Sequence, residues 1–97
     1  MQQNQNKKGE NMPDVIDQQV IDFIATWCDA PVGSVDLKTT LSSLGVTTED
    51  CSQLIMDLED HFGLTYVPGD ENGITTVQDA SNLIHKKLSG GGGSGSV

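Results

Sequence analysis

The side chains able to do chemistry in this sequence are few, and their spacing limits what that chemistry could be. Two histidines, His61 and His85, lie far apart in the chain, as do two cysteines, Cys28 and Cys51. Neither histidine forms a local metal-ligand spacing with a cysteine, so no metal site is expected. Hydrolysis needs a nucleophile, a base and an oxyanion site gathered in one cleft. Two histidines and no arginine offer little to assemble such a centre, and no catalytic residue is assigned. A partly exposed imidazole is the ordinary expectation for His61. No Gly-x-Gly-x-x-Gly or Gly-x-x-x-x-Gly-Lys-Ser/Thr segment is present to cradle a phosphate. Asp70, Glu71 and Asp79 lack the alternation and the terminal bidentate glutamate of a calcium loop. An independent enzyme is therefore not expected.

The elements that must position these residues are bounded by length and charge. A chain of 97 residues allows one domain. With one Trp, one Tyr and two Phe, its core falls to Leu, Ile and Val. The balance is five lysines against fourteen Asp and Glu, a formal net charge of −9. Nucleic-acid backbones and anionic lipid would repel such a chain, so its partners should be proteins with basic patches. No apolar run approaches the roughly 18 residues needed to cross a bilayer. The first eleven residues lack the apolar stretch of a signal peptide. These features imply a cytoplasmic monomer without membrane insertion, in which the two thiols stay reduced and structural.

Residues 1–12 are polar and aperiodic and read as a flexible tail. Residues 89–97, Ser-Gly-Gly-Gly-Gly-Ser-Gly-Ser-Val, have the composition of an appended Gly/Ser linker. The folding unit is then 13–88. A first helix begins near Pro13 and Asp14, with Ile16, Val20, Phe23, Ile24 and Trp27 on its buried stripe and Asp17, Gln18 and Asp22 on its wet side. It stops between Asp29 and Gly33. Ser34 to Gly45 reads as a long packed loop anchored by Val35, Leu37, Leu41 and Leu44. Thr47 or Thr48 caps a second helix whose inner face is Cys51, Leu54, Ile55, Leu58 and Phe62. Leu64 to Gly73 is a turn-rich connection. Thr75 or Thr76 caps a last helix with Val77, Ala80, Leu83, Ile84 and Leu88 inward and Lys86 and Lys87 late.

The polar face of the second helix carries Glu49, Asp50, Gln53, Asp57, Glu59 and Asp60, interrupted by Met56. A methionine among carboxylates suits docking onto a basic groove, since the thioether adapts to irregular apolar surface while the charges steer approach. A solvated face with one incidental methionine is the competing description.

Leu44-Gly45, followed downstream by Leu54-Ile55-Met56-Asp57-Leu58-Glu59-Asp60-His61-Phe62-Gly63, resembles the second-helix region of acyl carrier proteins. Val67-Pro68 and then Gly73-Ile74-Thr75-Thr76-Val77-Gln78-Asp79-Ala80 resemble the approach to that family's last helix. The resemblance runs from about Val15 to Leu88. It implies an all-α four-helix bundle of three main helices and one short one, the short one lying within Leu64 to Ile74. The family attaches phosphopantetheine to the serine of an Asp-Ser-Leu motif, and the matching positions here are Thr47-Thr48-Glu49. All three differ. The Thr48 methyl stiffens its side chain and crowds the hydroxyl, and Glu49 puts a charge where the family docks an apolar residue. Three functions stay open on this basis. One is a carrier-like module that docks on proteins of acyl, fatty-acid or polyketide metabolism through Glu49, Gln53, Met56, Asp57, Glu59 and Asp60, without a covalent arm. The others are a working carrier with phosphopantetheine on Thr48, and an unrelated helical adaptor or immunity-type binding protein. Leu54, Ile55, Leu58, Phe62, Ile74 and Ile84 would line the interior in the first two.

Overall fold

The computed structural model describes residues 14–31 and 33–89, so the expected N-terminal tail and all but the first residue of the Gly/Ser segment lie outside the described residues. Three α-helices carry the fold: α1 (Val15–Trp27), α2 (Thr48–His61) and α3 (Val77–Leu88). The all-α bundle expected from periodicity is present, and no strand occurs among the described residues.

Each helix starts at a capping box that its local sequence encodes. Asp14, Thr47 and Thr76 are the N-caps, each accepting a hydrogen bond from the backbone N–H three residues on. Asp17, Asp50 and Asp79 return the bond to the N-cap amide. Two of the amides that a helix start leaves unpaired are thereby satisfied at each end.

The apolar stripes meet in one core. Val20 and Ile24 of α1, Leu54, Ile55 and Leu58 of α2, and Val77, Ala80 and Ile84 of α3 have no exposed surface. Ile21 and Ala25 join them, α1 packing against both other helices. Phe23, Trp27, Phe62 and Leu83 pack at the margin, whereas Leu88, expected inside, is exposed at the end of α3.

The long connection after α1 is a packed loop, with Val35, Leu37 and Leu41 buried and a single 3-10 turn at Ser42–Leu44. It runs antiparallel to the approach to α3 for one bridge, Thr40 with Thr76. Thr39 and Leu37 offer their carbonyls to the amides of Val77 and Gln78, both at 2.9 Å, pairing further N–H groups at the α3 start. The short helix that the family likeness placed within Leu64 to Ile74 is absent there, and Ser42–Leu44 is the short helical element of the bundle. Successive turns occupy the later connection instead: Asp70 N–H bonds Val67 O, Asn72 N–H bonds Gly69 O, and Ile74 N–H bonds Glu71 O. The cause is local, since Gly69 and Gly73 take positive φ of 102° and 80°, a conformation that stops a right-handed helix.

Candidate functional site

The surface singled out by the sequence is the start and outer face of α2. Thr47 is committed to capping, its hydroxyl accepting the Asp50 amide at 3.1 Å while Asp50 Oδ2 accepts the Thr47 amide at 3.3 Å. Thr48 is therefore the first helical residue, and it is exposed, as are Glu49 and Asp50. Thr48 stands at the rim of an open hollow of about 180 Å³ lined by Leu41, Val46, Thr47, Cys51, Ile74 and Thr75 among others. Leu54, Ile55 and Leu58, further along the helix, have no exposed surface and do not line the hollow.

A phosphopantetheine arm on Thr48 would sit among these neighbours at the exposed start of α2. Its hydroxyl sits on a β-branched carbon, which leaves less room for attack than a serine would. Glu49 and Asp50 follow Thr48 as exposed residues, the Asp50 carboxylate accepting the Thr47 amide. Glu49 also presents a charge that a modifying enzyme would have to desolvate.

The expected docking residues separate into three groups. Glu49, Gln53, Met56 and Asp60 recur at spacings of four, three and four, and all are exposed along one stripe of α2, Met56 at 39%. Asp57 is half-buried and already engaged: its Oδ2 accepts the indole N–H of Trp27 at 2.8 Å and its Oδ1 accepts Gln53 Nε2 at 2.9 Å. Glu59 does not belong to the surface at all, having no exposed area. It lies four residues from Ile55 and eight from Cys51, on the register of the buried stripe, and so points inward.

What holds Glu59 inside is Lys87 of α3. The ammonium donates to Glu59 Oε1 at 2.9 Å, to the Thr65 carbonyl at 2.8 Å, and to Asp70 Oδ2. Glu59 Oε2 has no partner. Burial pushes the Glu59 carboxyl up to about 7, against the pull of Lys87. Burial would raise Asp70 too, but the Lys87 ammonium and the Val67 amide outweigh it and hold that carboxyl below its usual range.

A second buried polar group joins α1 to α3. Asp17, expected on the wet side, is 8% exposed, on the same helical register as Val20, Ile21 and Ile24. Its Oδ1 accepts the Ser81 hydroxyl and lies 3.1 Å from His85 Nε2. Burial opposes ionisation of Asp17, yet Ser81, the Asp14 amide and His85 together lower its pKa. Periodicity alone could have placed both Asp17 and Glu59 inside, because a charge on an apolar stripe obeys the same helical register as its neighbours.

The remaining reactive side chains have structural surroundings. His61 is exposed and rests its ring on Phe23, centroids 5.1 Å apart. Cys28 is half-buried and Cys51 buried, both as free thiols. Burial raises the pKa of each, with nearby Asp50 and Glu71 adding to it, so neither thiolate is readily formed.

No family model matches the chain. Over 71 residues it is 37% identical to a protein named acyl carrier protein from Azobacteroides pseudotrichonymphae genomovar. CFP2, an alignment spanning 71% of this chain and 84% of that protein. Over 52 residues it is 38% identical to acyl carrier protein 1, chloroplastic, of Hordeum vulgare, covering 54% of this chain. The chain spans 35% of the length of that barley protein.

Proposed function

Given that the chain belongs to the acyl carrier protein family, we propose that it acts as a carrier-like docking module, binding proteins of acyl metabolism through α2 without a covalent phosphopantetheine arm. The observation that carries this is the setting of Thr48. By the resemblance of the sequence its hydroxyl takes the place of the family's serine, and Thr48 is β-branched and followed by two exposed acidic residues. A transferase built for an apolar contact would meet Glu49, and burying an unpaired carboxylate costs several kcal/mol.

The docking surface under this proposal is the stripe Glu49, Gln53, Met56 and Asp60. Asp57 contributes one edge of its carboxylate, and Glu59 is withdrawn from the set. Met56 supplies the adaptable apolar contact, and the acidic residues steer approach to a basic groove. No reaction is assigned to the module itself. Among the described residues no helix is long and apolar enough to cross a membrane.

A working carrier with phosphopantetheine on Thr48 is the alternative, favoured by the exposed hydroxyl at the rim of the small hollow. Intact mass after incubation with coenzyme A and a broad-specificity phosphopantetheinyl transferase separates the two. We expect no mass gain on the natural chain. A gain mapping to Thr48 would overturn the docking-module proposal. A Thr48→Ser variant runs alongside: gain only in that variant places the obstacle at the threonine methyl, and gain in neither points to Glu49.

A further inference from the structure

Away from α2, two carboxylates and one imidazole converge where α1 begins and α3 ends. Asp14 and Asp17 are the N-cap and third residue of α1, and His85 lies in the last turn of α3. His85 Nε2 is 3.1 Å from Asp17 Oδ1 and 3.3 Å from Asp14 Oδ2. One ligand atom from each residue lies within 4.8 Å of the other two. A tetrahedral zinc ion with bonds of about 2.0–2.1 Å sets neighbouring ligand atoms about 3.3 Å apart. The two separations from the imidazole match that spacing.

We propose that Asp14, Asp17 and His85 bind a divalent transition-metal ion of the Zn²⁺ class, through one imidazole nitrogen and two carboxylate oxygens, with the fourth position open to solvent. The imidazole selects the metal class, since Ca²⁺ and Mg²⁺ take oxygen ligands.

Each carboxylate divides its work between the helix cap and this site. Asp14 Oδ1 accepts the Asp17 amide at 2.8 Å and Asp17 Oδ2 accepts the Asp14 amide at 3.1 Å, leaving Asp14 Oδ2 and Asp17 Oδ1 facing the imidazole. The capping box thus fixes both ligands before any ion arrives. Ser81, without exposed surface, donates its hydroxyl to Asp17 Oδ1, the kind of outer-shell bond that orients a carboxylate ligand. Access comes from the Asp14 side, whose side chain is 57% exposed, with His85 at 38%. To ligate, Nε2 must carry no proton, the imidazole keeping its single N–H at Nδ1. The ion would neutralise two carboxylates on a chain of net charge −9 and cross-link α1 to α3.

The test is calorimetric titration of the full chain with Zn²⁺, beside Asp14→Asn and His85→Gln variants. Asparagine caps a helix about as well as aspartate, so Asp14→Asn removes the ligand charge while keeping the fold. One equivalent of Zn²⁺ should bind the natural chain, with affinity at least about tenfold weaker in each variant. With Co²⁺ as probe, visible bands of tetrahedral intensity should appear without a near-ultraviolet thiolate charge-transfer band. The proposal is overturned by no Zn²⁺ binding, by unchanged affinity in both variants, by a thiolate band assigning the ion to Cys28 or Cys51, or by equal competition from Ca²⁺.

Discussion

Raising the pH through neutrality should destabilise this fold, and the cause is a single carboxyl. Glu59 has no exposed surface, one of its oxygens has no partner, and its carboxyl is pushed up to about 7 from an ordinary 4.5. The folded state therefore holds this proton more tightly than the unfolded chain does. The stability this gives is complete below the unfolded value and is lost as pH rises through about 7. The full difference of roughly 2.5 units corresponds to about 3 kcal/mol, of which about 2 kcal/mol falls between about pH 5.5 and about pH 8.5. For a domain of this size that amounts to a fall in Tm on the order of 10 °C. Urea unfolding followed by far-ultraviolet circular dichroism at the two pH values measures it directly. Glu59→Gln removes the titrating group while keeping an oxygen for Lys87, and its stability should be nearly flat over the same window. A natural chain equally or more stable at the higher pH would refute the assignment, and so would a Gln variant that keeps the slope.

Further outcomes follow from the other polar contacts. Asp17, Asp70, Glu71 and Asp79 all have depressed pKa values, so the stability they add is present above the ordinary carboxylate range and should be lost as pH falls through it. Together with Glu59 this places maximum stability at mildly acidic pH, which a series of thermal melts would reveal. Ser81→Ala leaves buried Asp17 one donor short and should cost about 1–3 kcal/mol in denaturant unfolding. Thr76→Ala deletes the α3 cap and should cost about 0.5–2 kcal/mol by the same assay. Asp57→Ala frees the indole N–H of Trp27; as Trp27 is the one tryptophan in the chain, its emission should shift to the red, and an unchanged spectrum would argue against the bond.

The helices were legible because their signals are local. The α2 stripe of Cys51, Leu54, Ile55 and Leu58 is buried as its spacing required, and the acidic residues after Thr47 and Thr76 close the capping boxes. The outer face of α2 was legible only in part. Glu49, Gln53 and Asp60 are exposed as their charge or polarity suggests, and Met56 with them, whereas the charge of Glu59 suggests exposure and its register points in. The charge of Asp17 misleads in the same way, since its register also points in. Charge is a good guide to exposure only while no partner waits inside, and the partners here, Lys87 and the Ser81–His85 pair, lie far along the chain.

The sequence by itself determined the helical class, the caps, the anionic surface and the carrier-family likeness, because each depends on residues a turn or two apart or on a summed charge. Only the tertiary structure decided where the charges meet. The Glu59–Lys87–Asp70 cluster and the convergence of Asp14, Asp17 and His85 join α3 to residues distant in sequence. No local spacing encodes those meetings. They arise when burial of the apolar stripes brings α3 against α1 and sets Lys87 beside Glu59 of α2, and the polar groups caught there must find partners because a buried charge without one is too costly.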